Sequence, residues 1–87
     1  MSLTPPFINL VQTLLGDPET YHDFEMSDEG KIAYGQAEIT VFPDGLYLVD
    51  WLDCEFCDSA HVSCREREFR TTHAGEALEK AMMEGGL

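Results

Sequence analysis

The first periodic pattern of hydrophobic positions in the chain has helical spacing. Apolar side chains recur on one face between Phe7 and Leu15, and the segment between these residues carries no charge. Thr4 and Pro5 precede the pattern and Gly16 follows it, an order typical of an N-cap, a first helical position and a helix end. The pattern predicts a helix that begins at Pro5 and is stopped by Gly16-Asp17-Pro18, with an apolar face that packs on a sheet, a partner or both.

A second pattern, with alternating apolar and polar residues, predicts four strands at about 20–26, 31–42, 46–56 and 61–70. Two turn signatures end in glycine, at residues 27–30 (Ser-Asp-Glu-Gly) and 42–45 (Phe-Pro-Asp-Gly). Within 31–42 the apolar residues change from even to odd positions near Gly35 and Gln36. We interpret this change as a β-bulge, because a bulge shifts the side-chain alternation by one residue.

A last helical pattern follows Thr71 and Thr72, which offer a cap, and ends at Gly85 and Gly86. Its apolar stripe consists of Ala74, Ala77, Leu78, Ala81 and Met82. The fold class predicted is therefore α+β: an N-terminal helix, a four-stranded antiparallel β-meander and a C-terminal helix, with both helices on one sheet face. No repeat or linker interrupts the pattern, so residues 1–87 are expected to form a single domain.

Composition supports a folded chain with one small core. The 87 residues are 44% hydrophobic, which is too apolar for a disordered segment. No apolar run reaches the roughly 18 residues of a membrane span, and the N-terminus lacks the pattern of a secretory signal. We therefore expect a cytoplasmic protein that does not bind a membrane.

The charge of the chain bears most directly on its partners, because the formal net charge is −12. Residues 1–60 hold 12 carboxylates and one lysine, a net charge of −11, whereas residues 61–87 have a net charge of −1. Such a field argues against direct binding to nucleic acid, whose phosphates need Lys and Arg. A basic protein is the natural partner, and acidity for solubility alone is the alternative.

The segment 53–64 contains all three cysteines of the chain and one histidine, at Cys54, Cys57, His61 and Cys64. These ligand types suit zinc, and their order resembles that of short zinc knuckles, although the gaps around the histidine are shorter. A hairpin centred on Ser59 is the preferred interpretation. It would place Cys54 opposite Cys64 and Cys57 opposite His61, on opposite faces, with Cys54 and Cys64 as small buried side chains. That geometry predicts no bound metal.

The carboxylates of the chain are better explained by binding than by catalysis. If residues 42–45 close a hairpin, Glu38 lies opposite Asp50, and such a pair could supply a general acid and base. A solvated face is the simpler interpretation, and no cofactor loop or nucleophile motif accompanies the pair. In the segment 65–68, Arg and Glu alternate, which is typical of a protected edge strand. We predict that the protein is not an enzyme and has no cofactor.

The leading hypothesis is a small acidic binding or inhibitor protein, of the kind that phages and mobile elements use to mimic nucleic acid on a basic partner. The carboxylates predicted to bind that partner lie around the first hairpin and along the third strand: Asp23, Glu25, Asp28, Glu29, Asp50, Asp53, Glu55 and Asp58. One alternative is a zinc-binding or thiol-redox accessory protein that uses the cysteine cluster. Another is a homodimeric structural protein.

Overall fold

The computed structural model describes residues 4–26, 31–58 and 61–85. Its elements are α1 (Pro5–Gly16), β1 (Glu25–Met26), β2 (Ile32–Tyr34), β3 (Ala37–Val41), β4 (Tyr47–Asp58), β5 (His61–Thr71) and α2 (Ala74–Gly85). The strands form one antiparallel sheet in the order β1-β2-β3-β4-β5. The α+β class and both helices are confirmed, but the sheet has five strands where the sequence pattern predicted four.

The additional strand arises where a β-bulge was predicted. Residues 31–42 form two strands, β2 and β3, joined by a tight turn at Gly35 and Gln36. Gly35 has φ of +57°, which a residue without a Cβ adopts readily. A two-residue reversal changes the parity of apolar positions as a bulge does, so the pattern alone did not distinguish them. The register Ile32↔Ile39 shows the hairpin directly.

The second predicted turn is confirmed between β3 and β4. The Gly45 N–H donates to the carbonyl oxygen of Phe42 at 3.0 Å, and Gly45 has φ of +101°. The Asp44 carboxylate accepts a hydrogen bond from the Leu46 N–H at 3.2 Å, an interaction that favours this turn. The first predicted turn, at residues 27–30, lies outside the described residues.

One face of the sheet is covered by both helices. The strands direct Ile32, Ile39 and Val49 toward α2, whose Ala77 and Leu78 are fully or almost fully buried against them. The alanines of α2 let the helix lie close to the sheet. Helix α1 packs beside α2 and adds its own side chains to the core. The buried residues of α1 are Phe7 and Leu10.

Tyr47 connects the sheet to the start of α1. Its buried hydroxyl donates to the carbonyl oxygen of Pro6 at 2.7 Å and accepts a hydrogen bond from Asn9 Nδ2 at 3.4 Å. Thr4 is the N-cap residue with extended backbone, as predicted, but its hydroxyl makes no capping hydrogen bond. The Tyr47 hydroxyl, rather than a cap, therefore fixes this helix end to the core.

Thr71 connects β5 to the start of α2. Its buried hydroxyl oxygen accepts a hydrogen bond from the His73 N–H at 3.1 Å and donates to a carboxylate oxygen of Glu76 at 3.0 Å. The sequence assigned a capping role to the pair Thr71-Thr72. In the structure Thr71 instead bonds the backbone of His73, before the helix, and the side chain of Glu76 in the first turn. Helix α2 accordingly begins at Ala74.

Strands β4 and β5 are much longer than their neighbours. Strand β3 pairs with β4 between Val41↔Tyr47 and Glu38↔Asp50, whereas the β4–β5 ladder continues to Asp58↔His61. The residues beyond this overlap, 52–58 and 61–66, form a two-stranded extension of the sheet that we call the arm. At about 3.3 Å per residue, six residues extend roughly 20 Å, consistent with a longest molecular dimension of 46 Å.

Candidate binding site on the open sheet face

Four carboxylates lie in one row across the sheet, on the face that the helices leave open. Glu25 pairs with Ala33, Ala33 with Glu38, Glu38 with Asp50, and Asp50 with Glu68. Residues directly opposite each other on neighbouring strands point to the same face, and neighbouring strands lie about 4.8 Å apart. We call this set (Glu25, Glu38, Asp50 and Glu68) the carboxylate row.

A groove of about 630 Å³ lies along the row, and much of its lining is acidic. Glu66, two positions from Glu68 along β5 and directly opposite Leu52 of β4, extends the negative surface. The lining residues are Gln36, Glu38, Asp50, Trp51, Leu52, Glu66, Arg67 and Glu68. Apolar Leu52, which is 45% exposed, gives the groove a contact surface that is not only charged.

Burial and repulsion act together on Asp50, at the centre of the row. Partial burial raises the pKa of Asp50, the neighbouring carboxylate of Glu38 raises it further, and Glu66 and Glu68 add smaller effects in the same direction. Lys31 opposes them by lowering it. The site therefore holds more negative charge than its own cations balance, which favours a positively charged ligand.

Cations do lie at two points beside the row. Lys31 Nζ is 3.7 Å from Glu38 Oε2, and Arg70 Nη2 is 3.2 Å from Glu68 Oε1. These pairs involve partly exposed side chains, which rearrange at little cost when a partner supplies its own positive groups.

The structure brings together only some of the carboxylates that the sequence predicted to bind a partner. Glu25 and Asp50 lie in the carboxylate row. Asp53 lies on the helix-facing side of β4, where its carboxylate is 3.3 Å from Arg67 Nε. Asp23 is exposed and has φ of +64°, and its carboxylate accepts a hydrogen bond from His22 Nδ1 at 2.9 Å. Asp50 and Asp53 therefore lie on opposite faces of β4, because even and odd positions of a strand face opposite sides.

The remaining predicted residues are not placed in this site. Asp28 and Glu29 lie outside the described residues, as do the side chains of Glu55 and Asp58, whose backbone belongs to β4. Sequence reasoning paired Glu38 with Asp50 but did not include Glu38, Glu66 and Glu68 in the site. Carrying that register one strand further along the segment 65–68 would have found the two glutamates of β5.

The cysteine cluster differs from the prediction in two respects. Cys54 lies opposite Cys64, as predicted, but the two form a disulfide with a Cα–Cα distance of 4.0 Å, and both are exposed rather than buried. The predicted pair Cys57↔His61 is wrong, since an irregularity between Phe56 and Asp58 leaves Asp58 opposite His61. The irregularity moves the register by one residue.

Zinc binding by the cluster requires free thiolates, and in this structure two of the four candidate ligands are bonded to each other. Among the side chains that the structure describes, which exclude those of residues 55–62, no group of three or more from His, Cys, Asp or Glu is arranged to hold a metal ion. The carboxylate row is included in that statement. It is a charged surface rather than an ion cage.

Strand β5 forms an edge of the described sheet and bears on the homodimer alternative. Antiparallel pairing of two copies through β5 has its longest overlap when centred on Glu66. That register would place Glu66 opposite itself and Arg65 opposite Arg67 on each side. Like charges directly opposite each other destabilise a sheet, so the alternation in 65–68 opposes this dimer.

Comparison with known proteins identifies no relative: no family model matches the chain, and no curated protein or solved structure matches it either. Among the described residues, no helix is long and apolar enough to cross a membrane. The carboxylate row and its groove are therefore the features from which a function is inferred.

Proposed function

We propose that this protein binds a basic protein partner through the carboxylate row and its groove. The observation that supports this proposal most directly is the alignment of Glu25, Glu38, Asp50 and Glu68 on one open face. Much of the opposite face is covered by helices, so the row belongs to the side of the sheet that a partner can reach.

The kind of partner follows from the chemistry of the row. Glu38, Asp50 and Glu68 lie on successive strands about 4.8 Å apart, and Glu25 lies two strands from Glu38. Their carboxylates present acceptor oxygens to Lys and Arg side chains. Proteins that bind nucleic acid carry such basic side chains to contact phosphates. A nucleic-acid-binding protein is therefore the class of basic partner that we propose, with this protein acting as an inhibitor that occupies its binding groove.

The site supplies binding rather than catalysis in this proposal. Asp50 is a carboxyl group with a raised pKa, but the groove holds neither a nucleophile nor an oxyanion-stabilising array beside it. Binding of cations uses Asp50 differently. A Lys or Arg of the partner beside Asp50 would lower the pKa of Asp50 again. Binding would be favoured because this cation relieves the repulsion among the carboxylates of the free protein.

The test compares two double variants that remove the same charge. The row variant is Glu38→Gln with Asp50→Asn. The control variant is Glu19→Gln with Glu79→Gln, which alters exposed carboxylates in the α1–β1 connection and on α2. Each variant reduces the formal net charge from −12 to −10. Host proteins captured by the wild type at low salt are identified, purified and titrated against all three proteins.

We expect the captured protein to be basic. Its affinity should be at least tenfold lower for the row variant than for the wild type, and less than twofold lower for the control variant. The affinity should also fall with added salt, and duplex DNA should compete for the same partner. Equal losses in both variants would show that bulk charge alone matters. A partner unaffected by either variant would place binding elsewhere, and a partner that DNA does not displace would exclude nucleic-acid mimicry.

A further inference from the structure

The arm is joined across its strands by a covalent bond that the proposed binding function does not use. Cys54 of β4 and Cys64 of β5 form this disulfide on the open face, two positions beyond Leu52 and Glu66, which line the groove. We infer that the Cys54–Cys64 disulfide is a redox site: a dithiol reductant opens it in the folded protein, and its opening releases the arm.

The disulfide is accessible to a reductant. Both cysteines are exposed. Cys54 and Cys64 lie opposite each other on the open face of the sheet, so a reductant approaches the sulfur atoms from that face. Exposed disulfides are typical of labile or regulatory bonds.

The disulfide connects the two strands of the arm. In the arm, β4 is paired only with β5 among the described strands. The described side chains of the arm include none that is buried, and Leu52 is 45% exposed. An isolated two-stranded hairpin is marginally stable in water, so a covalent bond between its strands is an important constraint on this part of the sheet.

The base of the same hairpin does not depend on the bond. Val49 is buried beneath α2, and Trp51 and Phe69 pack against the core. Lys80 Nζ of α2 lies 5.3 Å from the Trp51 ring centroid and 5.4 Å from that of Phe69. Reduction should therefore loosen the arm and leave the domain folded.

The reaction needs a reductant, and a dithiol supplies both electrons. Its thiolate attacks one sulfur of the Cys54–Cys64 bond, which breaks that bond, forms a mixed disulfide and releases the other cysteine as a thiolate. The second thiol of the reductant then attacks the mixed disulfide and leaves as part of a cyclic disulfide. In total, two electrons and two protons pass from the dithiol to the protein.

Charge near the bond selects the reductant. Glu66 lies on the same face as Cys64, two positions along β5, and the carboxylate row follows. This negative surface repels anionic glutathione more than an uncharged dithiol such as dithiothreitol. We expect dithiothreitol to reduce the native protein at least tenfold faster than glutathione at equal thiolate concentration, with a smaller ratio at high salt.

The experiment counts thiols and measures amide exchange in the same samples. After mild oxidation, the wild type should show one thiol per chain when unfolded in urea, and three after native-state treatment with dithiothreitol. The Cys57→Ser variant, which keeps the bond, should show no thiol when unfolded in urea and two thiols after native-state treatment with dithiothreitol. Upon reduction, amides of 52–58 and 61–66 should exchange at least tenfold faster, while those of 47–50 and 69–71 change less than twofold.

The double variant Cys54→Ser with Cys64→Ser provides a second test, because it lacks the bond under all conditions. Its arm should exchange as fast as that of the reduced wild type, with or without dithiothreitol. Three thiols in the oxidised wild type would overturn the inference, as would a bond that opens only after the domain unfolds. Equal exchange of the arm in both redox states would also overturn it.

Discussion

Gly35 and Gly85 bring the turn between β2 and β3 into backbone contact with the end of α2. The carbonyl oxygen of Gly85 accepts a hydrogen bond from the Gln36 N–H at 3.3 Å. A Cβ on Gly35 would overlap this carbonyl group, and a Cβ on Gly85 would overlap the carbonyl oxygen of Tyr34. The absence of side chains at both positions is therefore what lets α2 close against the sheet.

The contact at Gly85 predicts a clear loss of stability for Gly85→Ala. The new Cβ would also lie 2.8 Å from the Cβ of Ala37 and 2.9 Å from its backbone nitrogen, and none of these atoms is the end of a flexible side chain. Overpacking of this kind costs about 1 to 3 kcal/mol, which urea denaturation measures.

Gly16→Ala is the matched control, since Gly16 also ends a helix but a Cβ there would meet nothing within 4 Å. It should leave the free energy of unfolding unchanged or raise it slightly, because alanine favours the helix. Equal effects of the two substitutions would contradict the close approach of α2 to the β2–β3 turn.

Tyr47→Phe should weaken the connection between the sheet and α1. The buried hydroxyl donates to the Pro6 carbonyl at 2.7 Å, and its removal should cost about 0.5 to 1.5 kcal/mol in the free energy of unfolding. Tyr34→Phe is the control, because within the described residues the Tyr34 ring contacts Phe24 and its hydroxyl makes no hydrogen bond. A loss in Tyr34→Phe as large as in Tyr47→Phe would show that the bond to Pro6 is unimportant.

Asp50→Asn should stabilise the protein at pH 7, unlike most substitutions of partly buried residues. Asp50 lies directly opposite both Glu38 and Glu68, so a neutral amide removes repulsion on two sides. We expect a gain of a few tenths to about 1 kcal/mol, the range for pairs opposite each other on a sheet.

Asp53→Asn removes the same charge three residues further along the same strand, where the carboxylate is paired with Arg67. It should instead cost a few tenths of a kcal/mol, as exposed ion pairs do. Thermal midpoints of both variants test the pair of predictions. A gain in both would indicate relief of overall charge rather than of the carboxylate row.

The sequence predicted most of this architecture because its apolar periods were unambiguous at the two helices and the turn signature at residues 42–45 was clear. It also predicted the register that places Glu38 opposite Asp50 and Cys54 opposite Cys64, since both follow from counting residues away from a turn. The division of residues 31–42 into β2 and β3 was missed, because a bulge and a short turn at Gly35 produce the same change of parity.

The candidate site was predicted only in part, for a different reason. Clustering along the sequence placed Asp50 and Asp53 together, whereas the sheet separates them and joins Asp50 to Glu25 two strands beyond Glu38 in space. Such rows depend on the pairing of every intervening strand. The disulfide was missed because Cys54 and Cys64 were interpreted as small buried side chains, although the predicted register already placed them opposite each other.

The pH dependence of Asp50→Asn gives the last prediction. Since burial and the neighbouring carboxylates raise the pKa of Asp50 above 3.8, the folded state binds more protons than the unfolded state between 3.8 and the raised value. The contribution of Asp50 to stability therefore falls as the pH rises through this window. The difference in free energy of unfolding between Asp50→Asn and the wild type should be near its full value at pH 7 and should become small below pH 3.8. Urea titrations at pH 7, 5 and 3 measure it. A difference that grows toward low pH would mean that the Asp50 carboxylate is stabilised in the fold, and the account of the row as a site of unbalanced negative charge would be wrong.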